Sequence, residues 1–86
     1  MEVKPIETAR LIAEKFASDH SPRYAAMKSE LLFDQGGKGD IYFFTWRMQN
    51  KDWSCTVWAM MPPFLQIGMS ADGKIVTYIN TLDLYN

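Results

Sequence analysis

Asp72-Gly73 sits between two runs of alternating side chains, and few short sequences constrain a fold so tightly. An Asp-Gly pair flanked by alternating apolar residues is a strong local signal for a β-hairpin. With those two residues as the loop, Ala71 pairs with Lys74, Met69 with Val76, Ile67 with Tyr78 and Leu65 with Asn80. This register gathers Leu65, Ile67, Met69, Val76 and Tyr78 on one face. Gln66, Gly68, Ser70, Ile75, Thr77 and Ile79 fall on the other. A slip of one residue would reverse every assignment on the shifted strand.

Upstream, Ile41 to Met48 is aromatic and β-branched, as strands are. Tyr42, Phe44, Trp46 and Met48 point one way; Ile41, Phe43, Thr45 and Arg47 point the other. The uniformly apolar first set is expected to face a helix. Pro5 to His20 supplies that helix: Ile6, Ala9, Ile12, Ala13, Phe16 and Ala17 fall on one arc, with His20 at its end. The three alanines imply close approach to a flat surface. Pro5 suits the first turn, Glu7 the positive end of the dipole, and Ser21-Pro22 stops the helix.

Tyr24 to Phe33 reads two ways. Its composition favours helix, with Ser21 as cap, Pro22 at the first position and Gly36 ending it. As a strand it would place Met27, Ser29, Leu31 and Phe33 on one face. The strand is preferred, because Asp34-Gln35-Gly36-Gly37-Lys38-Gly39-Asp40 reads as a loop joining antiparallel strands. Trp53 to Met60 reads as a strand or an extended crossing, and Pro62-Pro63 interrupts any ladder there. The expected architecture is α+β: one N-terminal helix packed on a three- to five-stranded antiparallel sheet, in a single domain spanning residues 1–86.

A chain of 86 residues buries only about 60–65% of its unfolded surface. Its three Trp, four Tyr and five Phe are therefore read first as core. A formal net charge of −1 with scattered basic residues offers no basic face for nucleic acid. No apolar run approaches the ~18 residues of a membrane span. Met1-Glu2-Val3-Lys4-Pro5 lacks the pattern of a signal peptide. A complete chain would then be cytoplasmic, and a piece of a longer exported one extracytoplasmic.

Catalytic and metal-binding constellations are not evident, and no cofactor is expected. His20 lacks a nucleophile and an orienting acid, and reads as a helix C-terminal residue. Cys55 has neither cations nor a helix N-terminus beside it in sequence, and reads as a small hydrophobe. Gly36-Gly37-Lys38-Gly39-Asp40 matches no phosphate-loop pattern and precedes a strand. The aspartates sit mostly in turns, where Asp bonds its own backbone. The outer sheet face is more apolar than a solvated face should be. Phe43, Ile75 and Ile79 there, with Trp58, Pro62 and Pro63 in the proline-broken segment, are the candidate partner-binding residues. The partner would be another protein or a second copy. The alternative is a small apolar ligand held between helix and sheet by residues such as Phe16, Trp46 and Tyr78.

Ile12-Ala13-Glu14-Lys15-Phe16, Tyr42-Phe43-Phe44-Thr45-Trp46-Arg47 and Gln66 through Tyr78 together resemble the PepSY (peptidase propeptide) domain. The resemblance covers most of the chain and implies a cystatin-like fold. It also implies a bacterial, non-enzymatic module that inhibits or chaperones peptidases, or serves protein interaction. It carries no catalytic residues over. The stretch from Trp53 to Phe64 is longer than in that family.

Overall fold

The computed structural model describes residues 5–49 and 63–84. Helix α1 runs Ile6–His20 and helix α2 Pro22–Met27, followed by a 3-10 turn at Lys28–Glu30. Strands β1 (Leu32–Lys38), β2 (Ile41–Arg47), β3 (Phe64–Ser70) and β4 (Ile75–Asn80) come next, and a 3-10 turn at Leu82–Leu84 follows. Among the described residues the strands form one antiparallel sheet in the order β1-β2-β3-β4. This is the expected α+β class.

The alanine stripe decides where α1 sits. Ala9, Ala13 and Ala17 are fully buried, with Ile6, Ile12 and Phe16 packed beside them. A methyl group is small enough to let a helix backbone settle close to a sheet. The helix lies over β2 and β3, where Phe44, Trp46, Met48, Leu65, Ile67 and Met69 form the opposing layer. The apolar side of β2 is thus the side read from its alternation.

Residues 24–33 correct the preferred strand. Ser21 is extended (φ −128°, ψ 105°) and fully buried. Its N–H donates to Ala17 O at 2.8 Å, which closes α1. Its hydroxyl accepts the Tyr24 N–H at 3.1 Å, which caps α2, and Pro22 takes the first helical position. A satisfied N-terminus and the Ala-Ala-Met run favour helix. Only Leu32 and Phe33 of that stretch are strand.

The glycine-rich stretch is likewise corrected from loop to strand. All of Leu32–Lys38 pairs with β2, from Leu32 opposite Arg47 to Lys38 opposite Ile41. The turn is only Gly39-Asp40. Gly39 has φ 61°, and among the described residues no non-glycine residue has positive φ, which matches a two-residue turn with glycine first.

The β3–β4 hairpin is right at its far end and wrong near its tip. Leu65 pairs with Asn80 and Ile67 with Tyr78, as expected, but Met69 faces Ile75 instead of Val76. The loop holds three residues, Ala71-Asp72-Gly73. Gly73 N–H donates to Ser70 O at 2.9 Å, Ser70 N–H donates to Lys74 O at 2.8 Å, and Gly73 has φ 98°. Such a loop shifts the ladder by one, and a bulge at Gly68/Met69 shifts it back. The bulge turns Val76 out (55% exposed) and packs Ile75 against the core. Val76 therefore leaves the inner face and Ile75 leaves the outer one. The Ser70 hydroxyl donates to the Asp72 carboxylate, and chiefly for that reason Asp72 sits below the usual carboxylate range.

Gly68 is required beside this bulge. A Cβ there would collide with Thr77 Oγ1 and lie 3.3 Å from the Phe43 ring. Gly68→Val is expected to cost about 1–3 kcal/mol, the usual range for overpacking, as read by urea denaturation. Thr77→Ala should recover part of the loss, with a coupling above ~0.5 kcal/mol in a double-mutant cycle. Strict additivity would refute the close approach.

The C-terminal turn is tied to α2 by a polar network. Asn80 Nδ2 donates to Asp83 Oδ2 at 2.6 Å and Arg23 N–H donates to Asp83 Oδ1 at 3.2 Å. Partial burial pushes the Asp83 carboxyl up, but donors from Asn80, Ser21 and Arg23 outweigh it and hold the group below its ordinary range.

Candidate functional site

Among the described residues the sheet has two edges, and they are built differently. At one edge β4 carries the bulge, which bends a strand and spoils its pairing surface. At the other, β1 keeps an unbroken register over seven residues, and every one of them is exposed. An edge strand presents a row of unpaired N–H and C=O groups along its free side.

The space beside β1 follows from where α1 lies. Because the helix packs over β2 and β3, the inner face of β1 is left partly open. Phe33 projects there and remains 38% exposed. Its ring lies 5.2 Å from Trp46 and 6.4 Å from Phe44, with the Arg10 guanidinium 5.4 Å from its centroid. Tyr24 meets Trp46 edge-on at 5.1 Å. Together Arg10, Glu14, Tyr24, Lys28, Phe33 and Trp46 line a cleft of about 360 Å³. Its floor is aromatic and its rim carries both signs of charge.

Arg10 Nε stands 3.5 Å from Glu14 Oε2. The Tyr24 hydroxyl is pushed up to about 12, first by burial and then by the Glu14 charge, with Arg10 opposing. Near neutral pH it is therefore an uncharged phenol.

The residues proposed from sequence scatter. Phe43 is half-buried on the outer face, its ring against Gly68. Ile79 is 45% exposed on the same face, but in the row Thr45–Gln66–Ile79, whereas Phe43 lies in the row Gly36–Phe43–Gly68–Thr77. Gln66 Nε2 donates to Thr45 Oγ1 at 3.1 Å, so polar side chains separate the two apolar ones. Ile75 packs toward the core, and Pro63 is fully buried, its carbonyl accepting the Met48 N–H at 3.0 Å. Trp58, Pro62 and Cys55 lie outside the described residues.

The Phe16–Tyr78 end of the helix–sheet interface is filled. Their rings meet edge-on at 5.1 Å, and His20 stacks on Phe16 at 4.0 Å. His20 Nδ1 donates to Phe16 O at 2.9 Å, so the ring is tied to its own helix. Of the three residues expected around a ligand pocket, only Trp46 lines the cleft, which opens at the β1 edge instead.

Among the described residues no group of three His, Cys, Asp or Glu side chains could hold a metal ion. No described helix is long and apolar enough to cross a membrane. Sequence reasoning missed β1 because Gly36 and Gly37 are poor strand formers. The available signal was Leu32-Phe33 in front of them and Gly39-Asp40 behind. Comparison of the chain with protein-family models, with curated proteins and with solved structures finds no match.

Proposed function

We propose that this chain is a non-catalytic protein-interaction module that takes up an extended segment along β1. The observation that carries the reading is the contrast between edges among the described residues: β1 is exposed along an unbroken seven-residue register, whereas β4 is bulged. A strand added to β1 would gain main-chain hydrogen bonds, and alternate side chains of the guest would fall beside Phe33 and the cleft. A PepSY-like bacterial identity, with a peptidase among the partners, belongs to the same proposal. The small-ligand reading is supported by the cleft volume, but Arg10, Glu14 and Lys28 favour an amphipathic guest over a purely apolar one.

A displayed library of random dodecapeptides tests the edge. Enriched peptides should show alternating apolar residues. Their affinity should fall at least about fivefold for Phe33→Ala and stay unchanged for Ile79→Ala. No enrichment, or sensitivity to Ile79 and indifference to Phe33, would reject the proposal in favour of the outer face or of no docking surface.

A further inference from the structure

The outer side chains of β1 are Leu32, Asp34, Gly36 and Lys38, which alternate with Phe33, Gln35 and Gly37 on the inner side. Asp34 and Lys38 are both exposed, and among the described residues neither has an ion-pair partner. They are two strand positions either side of Gly36, where a Cβ would meet nothing within 4 Å. Their symmetric placement about a glycine is what a strand needs to pair with its own copy.

We infer that the segment taken up by β1 is the β1 strand of a second copy of this chain, paired antiparallel about a two-fold axis through Gly36. The inference rests on β1 being the pairing edge. In an antiparallel ladder, opposed residues either both turn their backbone groups toward each other or both turn them away. Only registers that pair residues of like parity are therefore allowed. Centring on Gln35 sets Leu32 against Lys38 and Asp34 against Gly36, which matches no charges. A shift toward the C-terminus, centred on Gly37, sets Asp34 against Asp40. A shift toward the N-terminus, centred on Asp34, sets Asp34 against itself. Centring on Gly36 sets Asp34 against Lys38 twice, with opposed Cβ atoms roughly 4.5–5.5 Å apart.

The same axis puts Gln35 opposite Gly37 on the inner side and glycine opposite glycine at the centre. No bulky side chains oppose one another across Gln35–Gly37. Both helices stay on one side of a continuous eight-stranded sheet. The chain's formal net charge of −1 adds little long-range repulsion between copies.

Sedimentation velocity over a dilution series tests the pairing, using the whole chain. Wild type should form a reversible dimer that weakens as salt rises. Asp34→Lys sets cation against cation twice, and Lys38→Asp sets anion against anion twice, so each should weaken self-association at least about tenfold. An equimolar mixture of those two variants should dimerise again, because every opposed pair is complementary. The double variant D34K/K38D should recover the homodimer. A wild-type monomer at roughly 0.5 mM, far above ordinary micromolar association, overturns the inference. So does a dimer that both single variants leave intact, or a mixture no tighter than either variant alone. If the chain is monomeric yet binds library peptides through Phe33, only the self-pairing fails. If it does neither, the edge reading fails with it.

Discussion

Phe44→Ala is expected to leave the protein largely unfolded at room temperature. The ring is fully buried under α1, pairs across the sheet with Ile67 on one side and Gln35 on the other, and lies 6.4 Å from each of Phe33, Tyr42 and Trp46. Truncating a buried phenylalanine costs about 3–5 kcal/mol, because the transfer term and the cavity term add. A domain of this size commands roughly 5 kcal/mol or somewhat more in total. Tryptophan fluorescence in urea should show the midpoint falling toward zero denaturant. Phe43→Ala is the control. It removes a ring of the same size from the adjacent position, but from the half-buried outer face, so about 1 kcal/mol should be lost. Equal losses at the two positions would mean that β2 does not have one core face and one outer face.

That pair of substitutions also marks what was legible in the sequence. The faces of β2 and the buried stripe of α1 follow from periodicity within a single element, which a sequence displays directly. Ser21-Pro22 is legible as a boundary, yet its second role, as cap of α2, competes in the sequence with the loop pattern of the glycine-rich stretch that follows. Gly36 and Gly37 have weak strand preference of their own. They are held in β1 by pairing with Phe43 and Tyr42, a contact between elements that no local pattern records.

The hairpin tip departs from its sequence pattern for a different reason. Asp72-Gly73 can be the whole of a two-residue loop or the end of a three-residue one, and the residues look the same in both. Only the bulge beside Gly68, where Thr77 crowds the glycine, separates them. One displaced residue was enough to carry Ile75 from the outer face to the core. The exposed edge at β1 was illegible for a related reason. An edge is a property of strand order, and it depends on where α1 comes to rest.

Where α1 rests can itself be tested, and the expected result runs against simple hydrophobicity. Ala13→Leu adds an apolar side chain at a helix position yet should destabilise the protein by about 1–3 kcal/mol, whereas Leu11→Ala removes one and should change stability by less than ~0.5 kcal/mol. Leu11 is 63% exposed and Ala13 fully buried, and alanine and leucine differ little in helix propensity. The sign therefore depends only on the space beneath each residue. Ala9, Ala13 and Ala17 stand one turn apart along the line of contact, so a larger side chain at Ala13 must lift the helix from Phe44 and Ile67 or force strained rotamers. Lifting it would widen the cleft between Arg10 and Phe33, because that cleft exists only where α1 does not cover β1. Parallel measurements of urea stability and of peptide affinity should then diverge. Stability should drop, while the peptide affinity proposed for the β1 edge should survive, since the ladder groups of β1 are untouched. If Ala13→Leu were neutral in stability, the close packing of α1 on β2 and β3 would be refuted. So would the explanation of why the inner face of β1 is left partly open.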